Sequence, residues 1–344
     1  MRWERVFKSF QALEQTGKEH LADAVRQWFG QQVGDLGANL GSVREHRFSD
    51  GIFCPHCGET NVCRNGRLKD KSGRHPESQR YLCRGCGRSF NDFTASPMAG
   101  TKYPDKWMAC LNLMLEGASC RAIAKSLGMH VSTAFHWRHK VLRALDSLGD
   151  HELTGIIEAD DTYFLESSKG TKVRGRKPRQ RGGPAGKRGL SKQQVSVLAA
   201  IDRSGDMFCR VAGRGSLRAG EIDAVLGHVI TGQSTLVTDK ASGFSMFATQ
   251  KGLAHKPVEP AKKVRNLGLY HIQHVNSFHR RLKQWMDRFN GVATKYLDNY
   301  LTWFIWLERT KTAEPGDRLC TLLYDATKKM VRTTTDMFPW PEAA

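Results

Sequence analysis

The chain has no run of about 18 consecutive apolar residues, which on length alone excludes a membrane-spanning helix. Its first residues, Met1-Arg2-Trp3-Glu4-Arg5, are mixed in charge and carry no apolar leader core, so the expectation is a cytoplasmic protein with no membrane partner. Acid is scarce. Against 53 Lys and Arg there are 34 Asp and Glu, giving a net charge of +19 and a pI near 9.7. A surplus of that size predicts a polyanionic partner, of which nucleic acid is the commonest, and hence a nucleoid association. The cysteines number nine, so they cannot all pair; four of them form two Cys-x-x-Cys pairs, which in the cytosol favours metal over disulfides. With 40% hydrophobic and 25% charged residues over 344 positions, the chain can build two or three globular domains.

Residues 1–48 read as an N-terminal helical region, with Trp3, Val6, Phe7, Phe10 and Leu13 at helical spacing and Leu21, Val25, Trp28 and Phe29 repeating it. Residues 49–93 change character. Cys54-Pro55-His56-Cys57-Gly58 is answered by Cys83-Arg84-Gly85-Cys86-Gly87. Two residues between thiolates let one tight turn aim both sulfurs at one ion, and the following glycine takes the left-handed residue of that turn. Four thiolates suit tetrahedral Zn²⁺ and leave no open position, so Cys54, Cys57, Cys83 and Cys86 are the expected ligands of a structural zinc ribbon. Cys63 and His75 are weaker candidates. Arg64, Arg67, Lys69, Lys71, Arg74 and Arg80 make the hairpin between the knuckles basic.

Residues 104–149 read as three helices forming a helix-turn-helix DNA-binding domain. Ala124 allows a close approach, Gly128 makes the turn, and Val131 and Phe135 pack inward. Ser132, Thr133, His136 and Arg138 are then the residues expected to face a major groove; the alternative is an ordinary helical hairpin. Residues 168–193 hold ten Lys or Arg and no acid. This segment is read as a loop that follows phosphates, with Arg174, Arg176, Lys177, Arg179 and Arg181 as DNA contacts.

Between these basic modules lies Gly155-Ile156-Ile157-Glu158-Ala159-Asp160-Asp161-Thr162-Tyr163-Phe164, an apolar strand carrying three carboxylates. A lone ionised carboxylate out of water costs several kcal/mol, so acids persist in such a strand when something positive sits on them. Alternation puts Glu158 and Asp160 on one face and Asp161 on the other. A hairpin through Arg203-Ser204-Gly205-Asp206, a helix from residue 219, the strand Thr235-Leu236-Val237-Thr238-Asp239 and a basic helix from His274 follow. This order is that of an α/β RNase H-like catalytic core with a mixed sheet, over residues 153–312, leaving 313–344 as a C-terminal helix and tail. The fold class expected is therefore α+β multidomain. Asp160 and Asp239 are the expected ligands of Mg²⁺, or Mn²⁺, with Glu158 as a supporting or alternate acid.

Zinc ribbon, helix-turn-helix, Glu158-Ala159-Asp160-Asp161-Thr162-Tyr163, Thr238-Asp239 and His274-Val275-Asn276 together resemble the ISXO2-like DDE transposases of bacterial insertion sequences, from about residue 50 to about 310. The resemblance implies a DDE-type enzyme that binds terminal inverted repeats, cleaves DNA and joins it to target DNA, working as a homo-oligomer. It also implies Asp160 and Asp239 as the first two catalytic acids, and an Asp-Asp-Asn-Lys signature that Asn276 and Lys283 satisfy. His279 departs from the pattern, because relatives often carry Glu there. The third corner is Asn276, His279 or both. A catalytically inactive DNA-binding descendant and a plain RNase H-like nuclease are the alternatives.

Overall fold

A computed structural model describes residues 8–18, 20–21, 38–68, 77–170, 183, 186, 189–258 and 266–338. The chain divides into two units, one of residues 1–144 with 313–334 and one of residues 145–312 with 335–344.

In the first unit, helix α1 (Leu40–Arg47) precedes an antiparallel three-stranded sheet of β1 (Val62–Leu68), β2 (Ser78–Cys83) and β3 (Ser89–Asn91). Phe48, Cys54, Tyr81, Cys83 and Phe90 form its small core, with the Tyr81 and Phe90 rings stacked. A core this small needs a second source of stability, which is the role a structural metal plays in such folds. Arg44 on α1 adds a two-pronged ion pair to buried Asp92, both prongs at 2.9 Å.

Three helices follow: α2 (Trp107–Leu115), α3 (Cys120–Leu127) and α4 (Val131–Asp146). Ser119 caps α3 by accepting from the Ala122 amide, and Gly128 ends it at a φ of 55°, a left-handed turn that costs glycine little. Trp107 of α2 and Trp137 of α4 stack at 3.9 Å and close the helical core. Helix α9 (Pro315–Lys328) returns to this unit and packs on α1 and α2, with the Tyr324 ring stacked on His46.

The second unit is built on β4 (Ile156–Leu165), β5 (Gln194–Asp202), β6 (Met207–Arg214), β7 (Thr235–Thr238) and β8 (Ala254–Pro257). The spatial order is β6-β5-β4-β7-β8. The first three pair antiparallel, while β4–β7 and β7–β8 are parallel. This mixed sheet, with hairpins first and parallel crossovers after, is the RNase H-like arrangement. Helices α5 (Ala219–Leu226) and α6 (Ser242–Lys251) cover one face, where Ile157, Ala159, Leu198, Ala200, Phe208 and Leu236 meet Ile222, Phe244 and Phe247. Helices α7 (Gln273–Asp287) and α8 (Leu297–Arg309) bear on β4, β5 and β6 with the opposite side-chain set. Strand β5 lies between β6 and β4 and is buried on both faces, which is why its sequence, Val195 to Ile201, is nearly all small and apolar. Along the chain between β8 and α7 lie two short strands, β9 (Asn266–Leu267) and β10 (Tyr270–His271).

No helix among the described residues is long and apolar enough to cross a membrane.

Candidate functional site

Two groups of side chains answer to the chemistry expected. The first is the cysteine cluster. The Sγ atoms of Cys54 and Cys86 are 3.7 Å apart, those of Cys57 and Cys83 3.6 Å, and all four lie within 4.8 Å of one another. A tetrahedron with metal–sulfur bonds of about 2.3 Å has edges of about 3.8 Å, so the four thiols are already spaced to hold one ion. The knuckle turns are the reason. Gly58 and Gly87 take φ of 80° and 69°, and the amides of His56 and Cys86 each point at a sulfur from 3.4 Å. The Cys86 amide holds the Cys83 thiol down at about 7. Cys63 is no part of this cluster; its thiol faces the Leu82 carbonyl. His75 lies outside the described residues.

The second group sits where β4 and β7 run parallel. Ile156, Ile157 and Glu158 pair with Thr235, Leu236 and Val237. Carrying that register two residues further sets Asp239, just past the end of β7, beside Asp160 in the middle of β4. Asp239 Oδ1 accepts from the Ala241 amide at 3.0 Å, which fixes the turn into α6. Across from β4, helix α7 contributes Asn276, His279 and Lys283 to a groove of about 680 Å³ shared with Asp160 and Asp161. Their spacing of three and four residues puts them on one helical stripe.

The electrostatics follow from burial and crowding. Burial, then the charges of Asp239 and Asp161, push the Asp160 carboxyl up to about 7. Burial also raises Asp161, against the pull of the Tyr163 hydroxyl, which donates to Asp161 Oδ2 at 2.6 Å. Burial, helped by Lys283, lowers His279 to about 4, so its imidazole is neutral. His279 Nδ1 is 3.6 Å from Asp160 Oδ2, and its Nε2 is buried with no hydrogen-bond partner. Crowded carboxyls, with Asp160 and Asp161 raised by burial, beside an unpartnered buried nitrogen are a donor set that fits a divalent cation.

Several expected residues sit elsewhere. Asp161 was expected to face away from Asp160, but it borders the same groove: β7 stops pairing at Glu158, so beyond that point the edge of β4 is open and both its faces reach the groove. Glu158, on the Asp160 face, is not in the groove; it is 1% exposed and lies under the first turn of α7. Of the four α4 residues expected to face DNA, Ser132, Thr133 and His136 are half-buried at the helix start. Arg138 is 1% exposed and donates to the Ala118 carbonyl, so it braces the helical core instead of facing a groove. Arg174, Arg176, Lys177, Arg179 and Arg181 lie outside the described residues. Arg203 and His271, which surround Glu158, carried no sequence signal beyond a turn position and a histidine near the His274 helix start.

Residues 152–308 match the family described as the ISXO2-like transposase domain. The likeness is of that segment, just under half of the chain. The matched segment covers the whole five-stranded sheet and helices α5 to α8, with Asp160, Asp239, Asn276, His279 and Lys283 inside it. A relative from Halobacterium salinarum, named as an uncharacterized protein in the transposable element ISH50, is 26% identical over 300 residues, spanning 84% of this chain and 95% of its own. Its likeness extends ahead of the matched segment, and its source is archaeal, so the resemblance is not confined to bacteria. Among solved structures, the Mos1 strand transfer complex is 10% identical with a TM-score of 0.26, covering 67% of this chain and 78% of that one. A pre-cleavage Mos1 transpososome is 11% identical at 0.21, covering 67% and 81%. Superposition this poor adds nothing to what the strand order already says.

Proposed function

We propose that this chain is a metal-dependent transposase that binds the ends of its own element, cuts DNA there and joins the cut end to a target strand. The observation that supports the reading is the groove in which Asp160 of β4 meets Asn276, His279 and Lys283 of α7, with the charge of Asp239 near enough to help raise the Asp160 carboxyl. In this reading Asp160 and Asp239 hold Mg²⁺ or Mn²⁺, with Asn276, His279 or both completing the set. Bound there, divalent ions supply charge neutralisation at phosphorus and an activated oxygen nucleophile. Water attacks a phosphodiester, the bond to the 3′ oxygen breaks, and a 3′-hydroxyl is freed. That hydroxyl then attacks a target phosphodiester, one P–O bond forming as another breaks. Lys283, one turn beyond His279, reaches the phosphate, and neutral His279 orients Asp160 or gives a nitrogen to the ion.

DNA recognition belongs to the first unit in this reading. The Ser119-capped α3, the Gly128 turn and α4 make a helix-turn-helix that offers Ser132, Thr133 and His136, while the four cysteines hold a structural zinc. The basic composition of the segment 168–193 suits it to contact the phosphates of the duplex. The net charge of +19 supports a nucleic-acid partner.

The test uses duplex DNA from either side of the gene with Mg²⁺. Asp160→Asn and Asp239→Asn should each abolish cleavage and joining and retain binding. Full activity in either variant overturns the metal assignment. Binding by the wild type with no cleavage in Mg²⁺ or Mn²⁺ would favour a DNA-binding descendant, a reading that the nitrogen of His279 in place of a third carboxylate supports.

A further inference from the structure

Glu158 is the most buried acid of the second unit's central strand, and its carboxylate accepts from every side. Oε2 takes the amides of His274 at 2.8 Å and Val275 at 3.2 Å. Oε1 meets Arg203 Nη1 at 2.6 Å, His274 Nδ1 at 2.8 Å and His271 Nδ1 at 3.1 Å. Helix α7 has no acid in its own first turn, and its N-cap residue Ile272 makes no side-chain cap. The anion that a helix start ordinarily receives from a neighbour in sequence comes here from a strand 116 residues away. Arg203 is itself held. Its Nη2 donates to the Leu269 carbonyl, and its turn is pinned by Asp202, whose Oδ1 accepts from Ser204 Oγ and from the amides of Gly205 and Asp206.

The placement matters more than the bonds. Glu158 stands two residues before Asp160 on the same face of β4, and its partners His274 and Val275 stand immediately before Asn276 on α7. One side chain therefore sets the height and rotation of the helix that carries Asn276, His279 and Lys283 over the acids of the sheet. We propose that Glu158 is a positioning residue of the strand-transfer site: it caps α7 from the sheet and, with Arg203, holds the helix half of the site in register with Asp160 and Asp239. The inference rests on the reading of those two acids as the metal-holding pair.

Glu158, His271 and His274 are also a set that could hold a metal ion, their donor atoms lying within 4.8 Å of one another. A cation is already supplied there by Arg203, whose Nη1 is 2.6 Å from both Glu158 Oε1 and His274 Nδ1. Both carboxylate oxygens are engaged as well, so the geometry favours the clamp.

The experiment compares full-length, zinc-loaded wild type with Glu158→Gln, Glu158→Asp, Arg203→Gln and Asp160→Asn, using hydrogen exchange and cleavage of the duplex flanking the gene. Loss of charge-assisted bonds at the helix start should speed exchange across residues 273–287 by about tenfold or more in Glu158→Gln. Exchange in β5 should not change. Cleavage kcat should fall with KM for the duplex unchanged, and Glu158→Asp should recover part of it. Arg203 is more accessible, and Arg203→Gln should give the same exchange signature if Glu158→Gln does not fold. Asp160→Asn should stop cleavage and leave exchange in α7 as in wild type. If Asp160→Asn cleaves normally, the metal reading fails while the exchange data still judge the clamp. Unchanged exchange across 273–287 in both Glu158→Gln and Arg203→Gln overturns the proposal. So does a second zinc per chain that disappears in a His271→Ala/His274→Ala double variant.

Discussion

His279 Nδ1 lies 3.6 Å from Asp160 Oδ2, and little of either side chain reaches solvent, 9% and 16% respectively. A nitrogen thus stands where the resemblance leads one to look for a third carboxylate. Nitrogen is a poor partner for Mg²⁺ and a better one for Mn²⁺. Cleavage by the wild type should be faster in Mn²⁺ than in Mg²⁺, and His279→Glu should reverse the preference and tighten Mg²⁺ binding measured by calorimetry. Equal use of both ions by the wild type, with no gain in His279→Glu, would remove His279 from the ligand set.

The two groups also make stability depend on pH in opposite directions when no divalent ion is bound. Asp160 is raised to about 7 from an ordinary 3.8, so the folded chain binds a proton the unfolded chain has released. Its contribution is fully present below 3.8 and is lost as pH rises toward 7, by roughly a few kcal/mol at most. His279 is lowered to about 4 from 6.5, so its contribution is present above 6.5 and is lost as pH falls toward 4. Mg²⁺ relieves only the first. The rise in Tm on adding Mg²⁺ should be larger at pH 8 than at pH 5, and Asp160→Asn should remove most of that difference.

Stripping the cysteine cluster should unfold the sheet around it and spare the second unit. A strong chelator, or Cys83→Ser, should release one zinc per chain and speed exchange across residues 52–93. The sheet of the second unit should keep its protection, because its core of Ile157, Leu198, Phe208 and Leu236 shares nothing with the cluster.

Arg210 on β6 forks between Asp146 and Asp150 and also reaches Thr302 Oγ1 at 3.0 Å, all largely out of solvent. A lysine keeps the charge but cannot bridge both acids at once. Arg210→Lys should cost about 1–3 kcal/mol in denaturant unfolding without changing DNA affinity.

On α4 the split between groove and core is testable. Thr133→Ala and His136→Ala should weaken binding to duplex DNA and lower Tm less than Arg138→Ala does, since both side chains are only half-buried. Arg138→Ala should lower Tm more, through loss of a buried donor and its packing. A large loss of stability in His136→Ala would place that residue in the core as well.

Several features were legible in the chain because they are local. The Cys-x-x-Cys-Gly turns specify their own dihedrals. The Arg203-Ser204-Gly205-Asp206 turn lies where β5 and β6 meet, and helical spacing marks α7, α8 and α9. Strand β8 left no such mark: it is four residues long, ends in Pro257 and alternates between exposed and half-buried positions. Alternation also misplaced Asp161, since the rule assumes a strand paired along its length and β4 outruns β7.

By itself, then, the sequence determined the element order, the thiol knuckles, the acids of two strands and a charge suited to a polyanion. These depend on backbone dihedrals, periodicity and composition, which act over a few residues. Only the tertiary structure decided that Asp239 stands beside Asp160, that Arg138 is spent inside a helical core, and that Glu158 serves α7 and not the groove. Each of those depends on register and packing between segments 20 to 116 residues apart. No local pattern encodes such a relation; it is settled by which arrangement buries the apolar faces and satisfies every buried charge together.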